Sequence, residues 1–135
     1  METYPASKQR SRLLELATAL GSADNALRRD ECGDPRINGI AGHIYAVPGG
    51  FQMFIATQSK RAWGFAKGAL ASATVTIDGD DEGMLFMDRL PTVEEAAAIR
   101  DYAGIRKRQE LSAESAAAKQ ARGKAIADTR WKAAA

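Results

Sequence analysis

The chain has 135 residues and a mass of 14.5 kDa, enough for one domain with a genuine core and too little for two ordinary ones. Its 45% apolar and 27% charged residues are a globular composition, and no apolar run approaches the roughly 18 residues of a membrane span. The net charge of +2 is unevenly placed. Residues 1–12 hold three basic and one acidic residue, residues 13–105 eight and thirteen, and residues 106–135 eight and three. A mildly acidic body between basic ends predicts a contact with a polyanion through the ends rather than through the whole surface.

METYPASKQRSR has no apolar segment of the secretory type, so the expected compartment is cytoplasmic. Cys32 is the one cysteine and His43 the one histidine, which excludes an internal disulfide and zinc sites built from Cys and His pairs. No cofactor is expected.

In chain order, RSRLLELATALG places Leu13, Leu16, Ala17 and Leu20 at helical spacing and ends on Gly21, where a left-handed glycine closes a helix. Ser22 is the candidate cap of a second short helix through ADNALRRDE, stopped by Gly33, Asp34 and Pro35. The segment LATALGSADNALRR resembles the helix-turn-helix of DNA-binding regulators in the spacing of Ala17, Gly21 and Leu27. Ser22 and Asp30 stand where that family places apolar residues, and a plain helical hairpin over residues 1–33 is the expected outcome.

GHIYAVPGGFQMFIAT reads as two strands around Pro48-Gly49-Gly50. A two-residue loop at Gly49-Gly50 would set Tyr45 opposite Phe54 and Ile44 opposite Ile55, so that Tyr45 and Phe54 share a face. SKRAWGFAKGALASA follows as a helix capped by Ser59, with an apolar face of Ala62, Trp63, Ala66, Ala69, Leu70 and Ala73. Its other face carries Lys60, Gly64, Lys67 and Gly68. Two glycines inside a helix cost about 1 kcal/mol each, which predicts close approach by another strand of the domain in the first place, with a partner chain or a phosphate backbone met by the lysines as the alternatives.

ATVTI and MLFMD form a second pair of strands around DGDDEG. Asp78, Asp80, Glu82 and Gly83 match the first positions of an EF-hand calcium loop, but Arg89 stands where the bidentate glutamate belongs. The stretch is expected to be a hairpin turn, with no metal. LPTVEEAAAIRDYAGI gives a helix with a Thr92/Glu95 capping box and a Gly104-Ile105 ending. Residues 36–105 thus read β-β-α-β-β-α. The fold class is α+β: one domain over residues 1–105, an antiparallel sheet covered by helices, and a basic Ala-rich helix or tail over 106–135.

No catalytic constellation is present, and an enzyme is not expected. The function expected first is that of a non-enzymatic nucleic-acid-binding accessory or regulatory protein, its partner DNA or RNA. Phosphate contacts would come from Arg28, Arg29, Lys60, Arg61, Lys67, Arg106, Lys107, Arg108, Lys119, Arg122, Lys124, Arg130 and Lys132. Tyr45, Phe54 and Trp131 are the candidate stacking rings. The alternative is a protein-interaction module, an inhibitor or adaptor meeting a protein partner through the tail and the acidic hairpin.

Overall fold

The structure, a computed structural model, describes residues 4–108. Helix α1 (Ala6–Leu20) leads through a 3₁₀ turn (Asp24–Ala26) to strands β1 (Leu27–Arg29), β2 (Pro35–Asn38), β3 (Gly42–Val47) and β4 (Gly50–Ala56). Helix α2 (Lys60–Ala69), strands β5 (Thr74–Asp78) and β6 (Glu82–Met87), and helix α3 (Val93–Ala103) follow. The six strands form one antiparallel sheet in the order β1-β2-β3-β4-β6-β5. This is a small α+β domain; the β-β-α-β-β-α order expected for residues 36–105 holds from β3 to α3, but β2 adds an unexpected strand at the start of that span.

Strand alternation sorts the sheet into two faces. Ile37, Ile44, Ala46, Phe51, Met53, Ile55, Leu85 and Met87 are buried on one face. They pack in a single core with Leu13, Leu16 and Leu20 of α1, Trp63 and Ala66 of α2, and Ala96, Ile99 and Ala103 of α3. The helices therefore cover this face, and the opposite parity is half-buried in β2, β3, β4 and at Met84 and Phe86 of β6, and exposed at Arg28 and along β5.

The helical hairpin expected over residues 1–33 does not form: α1 is followed only by the 3₁₀ turn Asp24–Ala26, and Leu27–Arg29 is a strand. Strand pairing replaces the second helix, and two local bonds turn the chain between the paired strands. Asp30 Oδ1 accepts from the Cys32 and Asp34 amides, both at 2.9 Å, which fixes an Asx-type turn between β1 and β2 where a helix would have run on. Ser22 does not cap a helix. Its backbone lies against Lys107, with the Ala23 amide donating to the Arg106 carbonyl at 2.7 Å and the Arg108 amide to Gly21 at 2.8 Å. Arg106 and Arg108 are thus hydrogen-bonded along the α1 exit, with Lys107 between them opposite Ser22.

The β3–β4 loop is Pro48-Gly49 rather than Gly49-Gly50, so Tyr45 faces Gln52 and Ile44 faces Met53. Gly49 takes φ 86°, while Gly50 is already in the strand, where an added Cβ would lie 2.2 Å from the Met87 carbonyl oxygen. The register differs from expectation by two residues, which in a period-two element preserves every face. Tyr45 and Phe54 remain on one side. Nothing in the described chain lies within 4 Å of a Cβ built on Gly64 or Gly68, so the close internal approach expected there does not occur.

Helix ends follow their sequence signals. Ser59 Oγ accepts from the Ala62 amide at 3.0 Å, and the Thr92/Glu95 capping box is complete. Replacing Thr92 by alanine is expected to lower stability by about 1 kcal/mol in urea denaturation. Arg89, which blocks the calcium pattern, instead clamps Glu95 through two bonds of 2.7 and 3.0 Å. That clamp, a bond from Ser72 and the Thr92 amide hold the Glu95 carboxyl well below the usual range. A carboxylate depressed in the folded state stabilises above its unfolded pKa and loses that stabilisation as pH falls through the folded value. Below about pH 4.3, the ordinary glutamate value, the wild type should therefore lose stability faster than Glu95→Gln, as read from thermal midpoints in an acid series.

Candidate nucleic-acid interface

The half-buried face of the sheet is built from cross-strand neighbours, which share a face. Pairing sets Arg28 beside Arg36, Tyr45 beside Gln52, Gln52 beside Phe86 and Phe86 beside Thr74. The Arg36 Nη1 donates to the Tyr45 hydroxyl at 3.2 Å, which joins these into one row across all six strands. A second row runs Asn38, His43, Phe54, Met84 and Ile77. Two arginines thus stand at one end of a surface carrying Tyr45, His43, Phe54 and Phe86.

Hydrogen bonds and ring contacts hold these groups in place. The Tyr45 hydroxyl donates to Asp30 Oδ2 at 2.7 Å. This bond, ahead of those from the Asp34 and Cys32 amides, lowers the Asp30 pKa, while burial and the same acceptor raise that of Tyr45. His43 lies between rings: it meets Tyr45 in a T-shaped contact at a centroid distance of 5.3 Å, and its face stacks on Phe54 at 5.2 Å, 27° from parallel. Burial, and then the Arg36 charge, push the His43 pKa down. A neutral imidazole at neutral pH follows. The three rings pack on one another, His43 face to face with Phe54 and nearly perpendicular to Tyr45, so they form a held aromatic cluster on this face of the sheet.

The cations named from sequence fall into two groups. Arg28 and Arg106, with Asn25 and Asn38, line a shallow cleft of about 470 Å³ between the 3₁₀ turn, the β2–β3 turn and the end of α3. Lys107 and Arg108 continue along the α1 exit, where Arg108 stands 4.0 Å from Asp24 in an exposed pair. Arg29 is exposed at the same end of the sheet, near Arg10. Lys60, Arg61 and Lys67 belong to α2, at the opposite end. Lys67 is bonded to Asp78 of β5 at 3.0 Å, and Arg61 lies 5.5 Å from the Phe65 ring. Edge strands β1 and β5 are five strand spacings apart, about 24 Å, so the two groups do not converge. Lys119, Arg122, Lys124, Arg130, Lys132 and Trp131 lie outside the described residues.

Arg36, Gln52, Met84 and Phe86 were not anticipated as site residues. A signal for them exists: GHIYAV, GFQMFIA and EGMLFM are apolar or aromatic at both strand parities, the pattern of strands that meet something on each side. Among the described residues no cluster of His, Cys, Asp and Glu could hold a metal ion, and no helix is long and apolar enough to cross a membrane. The DGDDEG stretch forms the β5–β6 connection, with the Gly79 amide donating to Glu82 at 2.9 Å. Comparison of the chain with protein-family models, with curated proteins and with solved structures finds no match.

Proposed function

We propose that this chain is a non-enzymatic nucleic-acid-binding accessory protein that holds a single strand across the open face of its sheet. The observation that carries the reading is the joining of Tyr45, His43, Phe54 and Phe86 to Arg28 and Arg36 on one sheet face that no helix among the described residues covers. Base-on-ring stacking is tolerant of sequence and needs unpaired bases, whereas guanidinium groups neutralise phosphates. A duplex hides its base faces, so single strands are preferred. Arg106, in the cleft beside Arg28, extends the cationic end.

Fluorescence anisotropy of labelled single- and double-stranded DNA and RNA against the full chain tests this. Single strands should bind tighter than duplexes of the same sequence. If Arg28, Arg36 and Arg106 each meet one phosphate, log K should fall against log salt with a slope of about −2. Equal affinity for duplex, or no binding at low salt, would sink the reading.

A protein-interaction module is the second reading, and β5 is the observation that favours it. All five residues of this edge strand are exposed, Ile77 among them at 56%, and the acidic turn adjoins it. Such an edge can accept a partner strand. Substituting Thr76 by proline would abolish that mode and leave nucleic-acid binding intact.

A further inference from the structure

The geometry points to a phosphoryl-anion site formed by Arg28 and Arg36 on the β1–β2 ladder. The inference deepens the nucleic-acid reading by naming the group that the cationic end receives, and it rests on that reading only for the phosphate's source.

Three observations converge. Arg28 and Arg36 are direct cross-strand partners, and like charges in that relation repel unless something compensates them. No carboxylate lies within 4.0 Å of either guanidinium among the described residues, whose ion pairs are Lys67–Asp78, Arg89–Glu95 and Arg108–Asp24. Asp30 is the acid of this neighbourhood, and its oxygens are already engaged: Oδ1 by two backbone amides and Oδ2 by Tyr45. It acts on Arg36 through space alone.

The third observation is the bonding of the guanidiniums themselves. Arg36 spends Nη1 on the Tyr45 hydroxyl, while its Nε is shut off from solvent with no hydrogen-bond partner. Arg12 Nε and the Tyr4 hydroxyl are in the same condition among the described residues, and an unseen ligand is one of the standard explanations of such groups. Arg28 spends Nε on the Asn25 carbonyl at 3.0 Å, which leaves both of its terminal nitrogens to donate. The Nη2 of Arg36 and both terminal nitrogens of Arg28 keep free N–H groups, and guanidinium N–H groups suit a tetrahedral oxyanion, whose several oxygens accept charge-assisted bonds. Tyr45 lies next in the same row, so a phosphate here would carry an attached base toward Tyr45 and His43. The shared chemistry is a phosphoryl group, from the backbone of a strand or from a free nucleotide.

The test follows the arginine Nε–Hε resonances of the full chain by NMR while inorganic phosphate, a nucleoside 5′-monophosphate, or a short oligonucleotide without a terminal phosphate is added at constant chloride. The Arg36 Nε–Hε signal should shift saturably with inorganic phosphate. The monophosphate should bind about tenfold tighter through stacking and also shift the His43 ring signals. Arg28→Gln should weaken phosphate binding several-fold, while Arg61→Gln leaves it unchanged. Should Arg36→Gln fail to fold, the wild-type titration and Arg28→Gln still decide the matter.

Binding of phosphate and monophosphate without the oligonucleotide would support the site with a free nucleotide as its source and contradict the single-strand reading. Binding of the oligonucleotide at these resonances in addition to phosphate and monophosphate supports both. Absence of a saturable shift at Arg36 with phosphate and monophosphate alike, or an equal response at Arg61, would overturn the site.

Discussion

Phe54→Ala is expected to weaken single-strand binding by about ten- to a hundredfold, the range of one lost base–ring stack. Phe54 is central in the second row, with its ring stacked on His43 at 5.2 Å and its strand neighbours His43 and Met84 on either side. Its removal deletes one stacking face and releases the imidazole that completes another. Because the side chain is half-buried on the uncovered side, the core should survive. Tyr45→Phe separates the ring from its hydroxyl. It keeps the stacking surface but drops the bonds to Asp30 and Arg36, so affinity should stay within several-fold of wild type. Anisotropy titrations at one fixed salt concentration measure both. A Phe54→Ala protein that stays folded and binds as well as wild type would remove the rings from the mechanism.

Trp63→Ala should have the largest effect on stability, a loss of about 3–5 kcal/mol in urea denaturation. Trp63 is 1% exposed and fills the space between α2 and β6. It lies so near Gly83 that an added Cβ there would come within 2.3 Å of Cζ2. Its indole Nε1 donates to Asp78 at 2.7 Å, and Lys67, paired with the same carboxylate, lies 5.4 Å from its ring. One side chain therefore joins α2 to both strands of the second hairpin. Its truncation leaves a large cavity and frees the β5 edge, so residues 74–78 should also gain hydrogen exchange. A loss under about 1 kcal/mol would place the joint elsewhere, since burial on this scale is worth several times that. Gly83→Ala presses on the same contact from the strand side, where the Ile77 carbonyl at 2.3 Å leaves no room to yield.

The contrast between helices and strands shows how much the chain discloses before it folds. Helix α3 was legible to its caps because Thr92, Glu95 and Gly104 act on neighbours within one turn, and the same holds for Ser59 at α2. Leu27–Arg29 was not legible. ADNALRRDE has adequate helical propensity, and what overrides it is non-local: pairing with Pro35–Ile37 and the backbone bonds that Arg106–Arg108 make across the α1 exit. The hairpin register was misjudged because Gly50 serves contact with Met87, on a strand 37 residues further on, rather than the turn beside it.

The interface was half legible for the same reason. Tyr45 and Phe54 could be assigned to one face from strand periodicity alone. Phe86 joined them only because β6 inserts beside β4, and Arg36 only because β2 exists. Conversely, the eight basic residues named within 28–108 looked equivalent in sequence. Topology sends Lys60, Arg61 and Lys67 to one end of the sheet and Arg28, Arg29 and Arg106–Arg108 to the other, while the Lys67 charge is taken by Asp78.

The central claim is that the uncovered sheet face is the binding surface, and mapping by two-dimensional NMR of the labelled full chain with an unlabelled single strand tests it most directly. The account predicts perturbations concentrated at Arg36, His43, Tyr45, Gln52, Phe54, Met84 and Phe86, fading toward the residues of α3 on the far side. Perturbations centred on α2 or α3, with the strand residues unmoved, would contradict it.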